Sequence, residues 1–178
     1  MNFSEPTVES EIKFEGRVIT VSVDTVTLPD GRTALREIAK HSGGVTILPV
    51  DNDGYAYMVR QFRKPFDTVL LEAPAGKLAE GESHYDCGVR EMLEETGFTS
   101  QNVTYLGCIY PSPGYSTEII HLYLARDLTY VGQQLDEDEF LSVEKILFDD
   151  VVKMCSNNEI TDAKTLAVAF RSQMIIRK

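Results

Sequence analysis

The sequence predicts an α+β protein: an α/β/α sandwich built on a mixed sheet, with a small antiparallel β region at the N-terminus. Three observations predict it. Eight runs have strand character, three have helical periodicity, and no regular strand-helix-strand rhythm marks an all-parallel sheet. A chain of 178 residues can bury one sizeable core and a small appended sheet. The expected division is an N-terminal β region over 1–42 and a larger domain over 43–178.

The first strand, residues 18–28, alternates Val18, Thr20, Ser22 and Asp24 with Ile19, Val21 and Val23. Pro29-Asp-Gly31 is a turn signal, and 33–39 returns as the second arm of a hairpin. Residues 45–50 and 55–61 are expected to pair around the turn Asp51-Asn-Asp-Gly54. Further strands are predicted over 69–71, 103–110, 119–125 and 143–148. Helices are predicted from Ser83 to Thr96, around 149–155, and over 162–175, where Leu166, Val168, Ala169 and Phe170 supply the apolar side.

Composition excludes several classes. Seventeen basic against 28 acidic residues give a net charge of −11, and no basic stripe interrupts it, which argues against nucleic-acid binding. No apolar run approaches the roughly 18 residues a membrane span needs. The N-terminus has neither a basic segment nor an apolar stretch of a secretory signal, so a cytoplasmic protein is expected. Cys87, Cys108 and Cys155 are odd in number and have no metal-ligand spacing, and free thiols fit that compartment.

The decisive segment runs from Gly76 to Phe98. Ser83 followed by Asp86 approximates a capping box, and Gly97 stands where a helix C-terminal glycine belongs, so a helix is predicted over about 84–95. Helical periodicity gathers Tyr85, Val89, Met92, Leu93 and Thr96 on a face expected to pack on the core. Glu91, Glu94 and Glu95 share another face, with Arg90 one turn before Glu94. Like charges at this spacing cost roughly 0.2–0.5 kcal/mol per pair even when solvated. A hard divalent cation would reverse that sign, and Mg²⁺ suits an open face of carboxylates completed by phosphate oxygens and water. Gly88, on the flank, is expected to admit a metal or diphosphate close to the backbone, since a mid-helix glycine otherwise costs about 1 kcal/mol. An isolated Glu-Glu pair is ordinarily a solvated surface; here the spacing of the whole constellation argues otherwise.

That constellation resembles the Nudix box, Gly-x5-Glu-x7-Arg-Glu-U-x-Glu-Glu-x-Gly-U, where U is a bulky apolar residue. Gly76, Glu82, Arg90, Glu91, Met92, Glu94, Glu95, Gly97 and Phe98 fill its positions. The resemblance implies a loop-helix-loop that binds metal and cleaves a nucleoside diphosphate linked to another group. It implies Glu91 and Glu95 as principal metal ligands and Glu94 as a further ligand or water-orienting acid. Arg90 would hold the glutamates in place, and the Ala75 carbonyl would be another ligand. The expected cation is Mg²⁺, for which Mn²⁺ can substitute.

Most of the chain is similar to the ADP-ribose pyrophosphatase branch of that family. The matching pieces are Arg36-Glu37 with His41-Ser-Gly-Gly-Val45, Val59-Arg-Gln-Phe-Arg-Lys-Pro65, Glu72-Ala-Pro-Ala-Gly76, Ser112-Pro-Gly-Tyr-Ser-Thr-Glu118 and Thr161-Asp-Ala-Lys-Thr165. The resemblance implies that Arg63 contacts the diphosphate and that Arg36 reaches across from a partner subunit in a homodimer. Arg60, Tyr115 and Glu118 are further candidates for substrate contact. In the acidic run Asp136-Glu-Asp-Glu139, either Glu137 or Glu139 would supply a carboxylate near the attacked phosphorus, Glu139 being favoured. The implied reaction is ADP-ribose and water to AMP and ribose 5-phosphate. The alternatives are another nucleotide sugar, a dinucleotide or a nucleoside triphosphate as substrate, or a non-catalytic ADP-ribose sensor.

Overall fold

A computed structural model describes residues 3–135 and 139–176. The chain forms two compact units: one takes the chain up to Gly43 together with Tyr110–Ile119, the other takes Gly44–Ile109 and the chain from Ile120 onward.

The first unit is an antiparallel sheet in the order β1-β2-β3, from Thr7–Glu15, Ile19–Thr27 and Thr33–His41. The predicted hairpin is β2-β3, in unbroken register from Ile19 opposite His41 to Thr27 opposite Thr33. The sequence reading missed β1, whose nine residues are all exposed, because its charged residues leave little apolar signal. Residues Tyr110–Ile119 dock on β3: Ala39 donates its N–H to the Tyr115 carbonyl at 2.7 Å and accepts from Thr117 N–H at 3.0 Å.

The second unit carries the mixed sheet. Its order is β7-β4-β10-β9, from Ala75–Lys77, Gly44–Pro49, Ile120–Arg126 and Asn102–Ile109. β4 and β10 run parallel and the other pairings are antiparallel. All six residues of β4 are buried, as a strand covered on both faces requires. A second sheet, β12-β5-β6, comprises Leu141–Leu147, Tyr55–Arg63 and Thr68–Glu72. β8 (Phe98–Thr99) and β11 (Thr129–Tyr130) make a short ribbon.

Alternation along β4 and β10 sorts the core into two layers. Val45, Ile47, Tyr123 and Ala125 pack with Cys87 and Met92 of α1 (His84–Thr96). Leu48, Leu122 and Leu124 pack with Val151 of α2 (Phe148–Ser156) and Val168 of α3 (Ala163–Ile176). Helices therefore cover both faces, which is the α/β/α sandwich expected from the sequence.

Two expectations are corrected. Residues 45–50 and 55–61 do not form a hairpin: the chain turns at Asp51, whose carboxylate accepts from Asp53 N–H and Tyr55 N–H, and then changes sheets. Only the bridge Val50–Ala56 joins the two strands, because both edges of the buried β4 are taken by β10 and β7. The core face of α1 is also rotated from the expected one. Cys87, Gly88, Glu91, Met92, Glu95 and Thr96 are buried, whereas Tyr85 is 43% exposed and Val89 and Leu93 are half-buried. Gly88 serves packing, since a Cβ there would lie 3.0 Å from Val45 Cγ1; helix and sheet meet where the side chain is missing.

Candidate active site

The caps fix where α1 begins and ends. Ser83 Oγ accepts the Asp86 N–H and donates to its carboxylate, and Gly97 closes the helix at φ +76° with its N–H on the Leu93 carbonyl. The loop after β11 ties down the C-terminal carbonyls: Gln133 Nε2 donates to Glu95 O and Gln134 N–H to Glu94 O.

The five residues 72–76 pass along α1 and hold its acids. Thr46 Oγ1 and Ile47 N–H both donate to the Pro74 carbonyl, at 3.0 and 2.9 Å. The next N–H, of Ala75, donates to Glu95 Oε2 at 3.0 Å. Gly76 lies against Glu91 so closely that a Cβ would sit 1.7 Å from Oε1. A glycine is needed here for close approach and not for its backbone angle.

Arg90 gathers the remaining acids. Its Nε and Nη2 donate to Glu82 at 2.8 and 3.0 Å, and Nη1 donates to Glu91 and to Glu94, each at 2.8 Å. The Glu82 carboxyl falls to about 2, chiefly through Arg90 and then through the Ala79 N–H. Glu91 and Glu95 behave oppositely. Burial, at 8% and 2% exposure, raises both carboxyls, and Glu95 reaches about 8. The Ala75 N–H and Arg63 only partly offset this at Glu95, while the charge of Glu139 adds to the repulsion at both acids.

These residues fit a hard divalent cation. All donors are oxygens, two are buried carboxylates whose ionised form lacks full compensation, and Arg90 neutralises only part of the local charge. Among the described residues no three acidic, His or Cys side chains form a ready-made cage. Mg²⁺ does not require one, since it keeps waters and takes substrate oxygens.

Glu91, Glu94, Glu95, Arg90 and Ala75 are thus brought together, with Glu139 in electrostatic reach; Glu137 lies outside the described residues. Arg63 also acts on Glu95 electrostatically and bonds Glu72 with two hydrogen bonds of 2.8 and 2.7 Å. Arg60 is on the opposite face of β5, the face of Met58 and Leu71, beneath α2 and α3. There it pairs with Glu144 and lines a cavity of about 220 Å³ with Val69, Met154 and Ile160. Arg36, Tyr115 and Glu118 belong to the first unit. Arg36 pairs with Glu5, Tyr115 is exposed, and Glu118 lies 3.6 Å from His41.

Sequence reasoning assigned no role to Glu72, Asp162, Lys164 or Thr165. Asp162-Ala-Lys-Thr165 did carry a readable signal, an acidic N-cap: Asp162 accepts from Thr165 N–H at 2.9 Å and from its hydroxyl at 2.6 Å. Glu72 ends a strand with its carboxylate buried, paired with Arg63 and Lys164.

Replacing Gly76 by Ala should leave the fold intact, because the displaced atoms are the end of a flexible side chain, yet push the Glu91 carboxylate out of place. Activity is expected to fall about a hundred-fold with the circular-dichroism spectrum and melting temperature near wild type. Full activity in Gly76→Ala would show that the Glu91 position is not critical.

Comparison with known proteins agrees with this geometry. A NUDIX domain model matches residues 40–168. The chain is 42% identical over 166 residues to the ADP-ribose pyrophosphatase of Bacillus subtilis (strain 168), covering 92% of this chain and 90% of that one. It is 39% identical, with the same coverage, to a methanol dehydrogenase activator of Bacillus methanolicus. A crystal structure described as an ADP compounds hydrolase has the same fold, with a TM-score of 0.85 at 20% identity over 97% of this chain and 94% of that one. Nudix hydrolases generally need a divalent metal. The matched span takes in the whole acid face of α1 and the 72–76 segment that holds it, and the chain belongs to the Nudix family.

Proposed function

We propose that the chain hydrolyses ADP-ribose to AMP and ribose 5-phosphate with Mg²⁺. The observation that carries this reading is the pair of buried acids, Glu91 and Glu95, whose ionised forms Arg90, the Ala75 N–H and Arg63 compensate only in part. The similarity to an ADP-ribose pyrophosphatase along nine-tenths of the chain supports the choice of substrate.

Glu91 and Glu95, with Glu94 beside them and the Ala75 carbonyl, would hold the metal. When bound, Mg²⁺ neutralises diphosphate charge and makes a coordinated water more acidic. Arg90 keeps Glu82, Glu91 and Glu94 in register, and Arg63 offers its guanidinium to a phosphate, a group it suits geometrically. Glu139 is the acid we assign to orienting the attacking water and taking its proton. Water attacks one phosphorus, the bridging P–O bond breaks, and its electrons leave with the other phosphate. Positioning and electrostatics carry most of the rate gain. The three free thiols fit a protein of the cytoplasm.

The test is hydrolysis of a panel of ADP-ribose, other nucleotide sugars, dinucleotides and nucleoside triphosphates with Mg²⁺, with products separated by chromatography. ADP-ribose should give the highest kcat/KM, with AMP and ribose 5-phosphate as products. A preference for another substrate would overturn the choice of ADP-ribose. Binding of ADP-ribose without cleavage would make the chain a sensor.

We further propose that the chain is a homodimer in which the first unit supplies the interface and Arg36 serves the neighbouring site. Val8, Ile12 and Phe14 are exposed on the edge strand β1, an arrangement that monomers usually blunt. Light scattering should give twice the chain mass. An active monomer at assay concentration would remove this proposal.

A further inference from the structure

Arg63 is held at one edge only. Its Nε and Nη2 donate to the two oxygens of Glu72, while Nη1 makes no hydrogen bond among the described residues. The side chain of Glu72 is 1% exposed, whereas that of Arg63 is 35% exposed. A guanidinium has two edges that can each grip a planar or tetrahedral oxyanion with two parallel hydrogen bonds. Glu72 occupies the inner edge, and the outer edge, Nη1 with the second hydrogen of Nη2, stays available.

Glu72 is itself fixed from behind. Lys164 Nζ donates to Glu72 Oε2 and lies 3.0 Å from Asp162 Oδ1. Asp162 is immobilised as the N-cap of α3 by the amide and hydroxyl of Thr165. The Thr165 hydroxyl then accepts the N–H of Ala73, the residue after Glu72, at 2.8 Å. The contacts close into a ring, Glu72–Ala73–Thr165–Asp162–Lys164–Glu72, and with Arg63 bonded to Glu72 from outside it two cations balance two carboxylates. A pair buried only for stability gains little over an apolar replacement. Here the outermost member is a half-exposed arginine with an uncommitted edge.

We infer that Glu72 is a positioning residue for substrate: it orients the Arg63 guanidinium so that the outer edge faces a phosphate of the substrate, and Lys164 and Asp162 hold Glu72 in that pose. This rests on the reading of Arg63 as a diphosphate contact. Glu72 acts through Arg63 alone, so its effect belongs to binding and disappears when Arg63 is absent.

The experiment is steady-state kinetics with ADP-ribose for Glu72→Gln, Arg63→Ala, the double variant and Arg63→Lys, with folding followed by circular dichroism. Loss of one oriented charge-assisted contact should raise KM about ten- to a hundred-fold in Glu72→Gln, with kcat little changed. The double variant should match Arg63→Ala. Arg63→Lys keeps the charge and a bond to Glu72 but has no second edge, so its KM should approach that of Arg63→Ala. That variant decides the matter if Glu72→Gln fails to fold. A wild-type KM in folded Glu72→Gln or in Arg63→Lys overturns the inference, as does a Glu72→Gln effect that persists without Arg63. Each of these leaves hydrolysis of ADP-ribose standing; a wild-type protein inactive on ADP-ribose would instead remove the proposed function.

Discussion

Two carboxylates of α1 are withdrawn from water, and the surrounding structure is arranged to make that tolerable. A buried carboxylate normally either protonates or finds a partner, because removing the ionised form from water is costly. Glu95 has a single backbone N–H and a more distant arginine, and Glu91 shares Arg90 with two other acids. Neither is fully compensated. Under the proposed function the site is a polar surface held in readiness for a cation, and its organisation follows from keeping these two side chains in place without satisfying them.

One short stretch of chain, 72–76, bears most of that task. Each residue in turn makes a contact of a different kind. Glu72 takes Arg63 and Lys164, Ala73 N–H reaches Thr165, and the Pro74 carbonyl is bonded from β4. Ala75 N–H holds Glu95, and Gly76 leaves room for Glu91. Through these five residues the buried β4, the acid face of α1 and the cap of α3 become one rigid frame. Such a frame gives the preorganisation on which electrostatic catalysis depends, because the charges need not rearrange as the reaction proceeds.

The sequence made some of this legible. Ser83, Asp86 and Gly97 carry chemical signals of helix ends that act locally, so α1 was found to within a residue or two. The spacing of Glu82, Arg90, Glu91, Glu94 and Glu95 likewise pointed to one acidic cluster, and the fold does gather Glu82, Glu91 and Glu94 on Arg90 and Glu95 on the Ala75 N–H. What failed were judgements that depend on a distant partner. Val89 and Leu93 looked like the core face by hydrophobicity, but the helix is seated by Gly88 against Val45, which turns Glu91 and Glu95 inward. Arg60 read as a further substrate candidate beside Arg63, yet strand alternation sends the two to opposite faces of β5. Glu72 and Lys164 are 92 residues apart, and only the fold makes them neighbours.

The central claim is that Glu95 is buried in order to be neutralised by a cation. Its carboxyl rises from about 4.5 in the unfolded chain to about 8 in the folded protein. Between those values the folded state binds the extra proton, so this residue's contribution to stability falls as pH rises through that window. The direct measurement is urea unfolding of wild type and Glu95→Gln in parallel from pH 5 to pH 8, with EDTA and with Mg²⁺. The account predicts that, without metal, wild type loses stability relative to Glu95→Gln as pH rises, and that Mg²⁺ restores most of the loss in wild type only. A stability difference independent of pH, or one that Mg²⁺ does not touch, would contradict it.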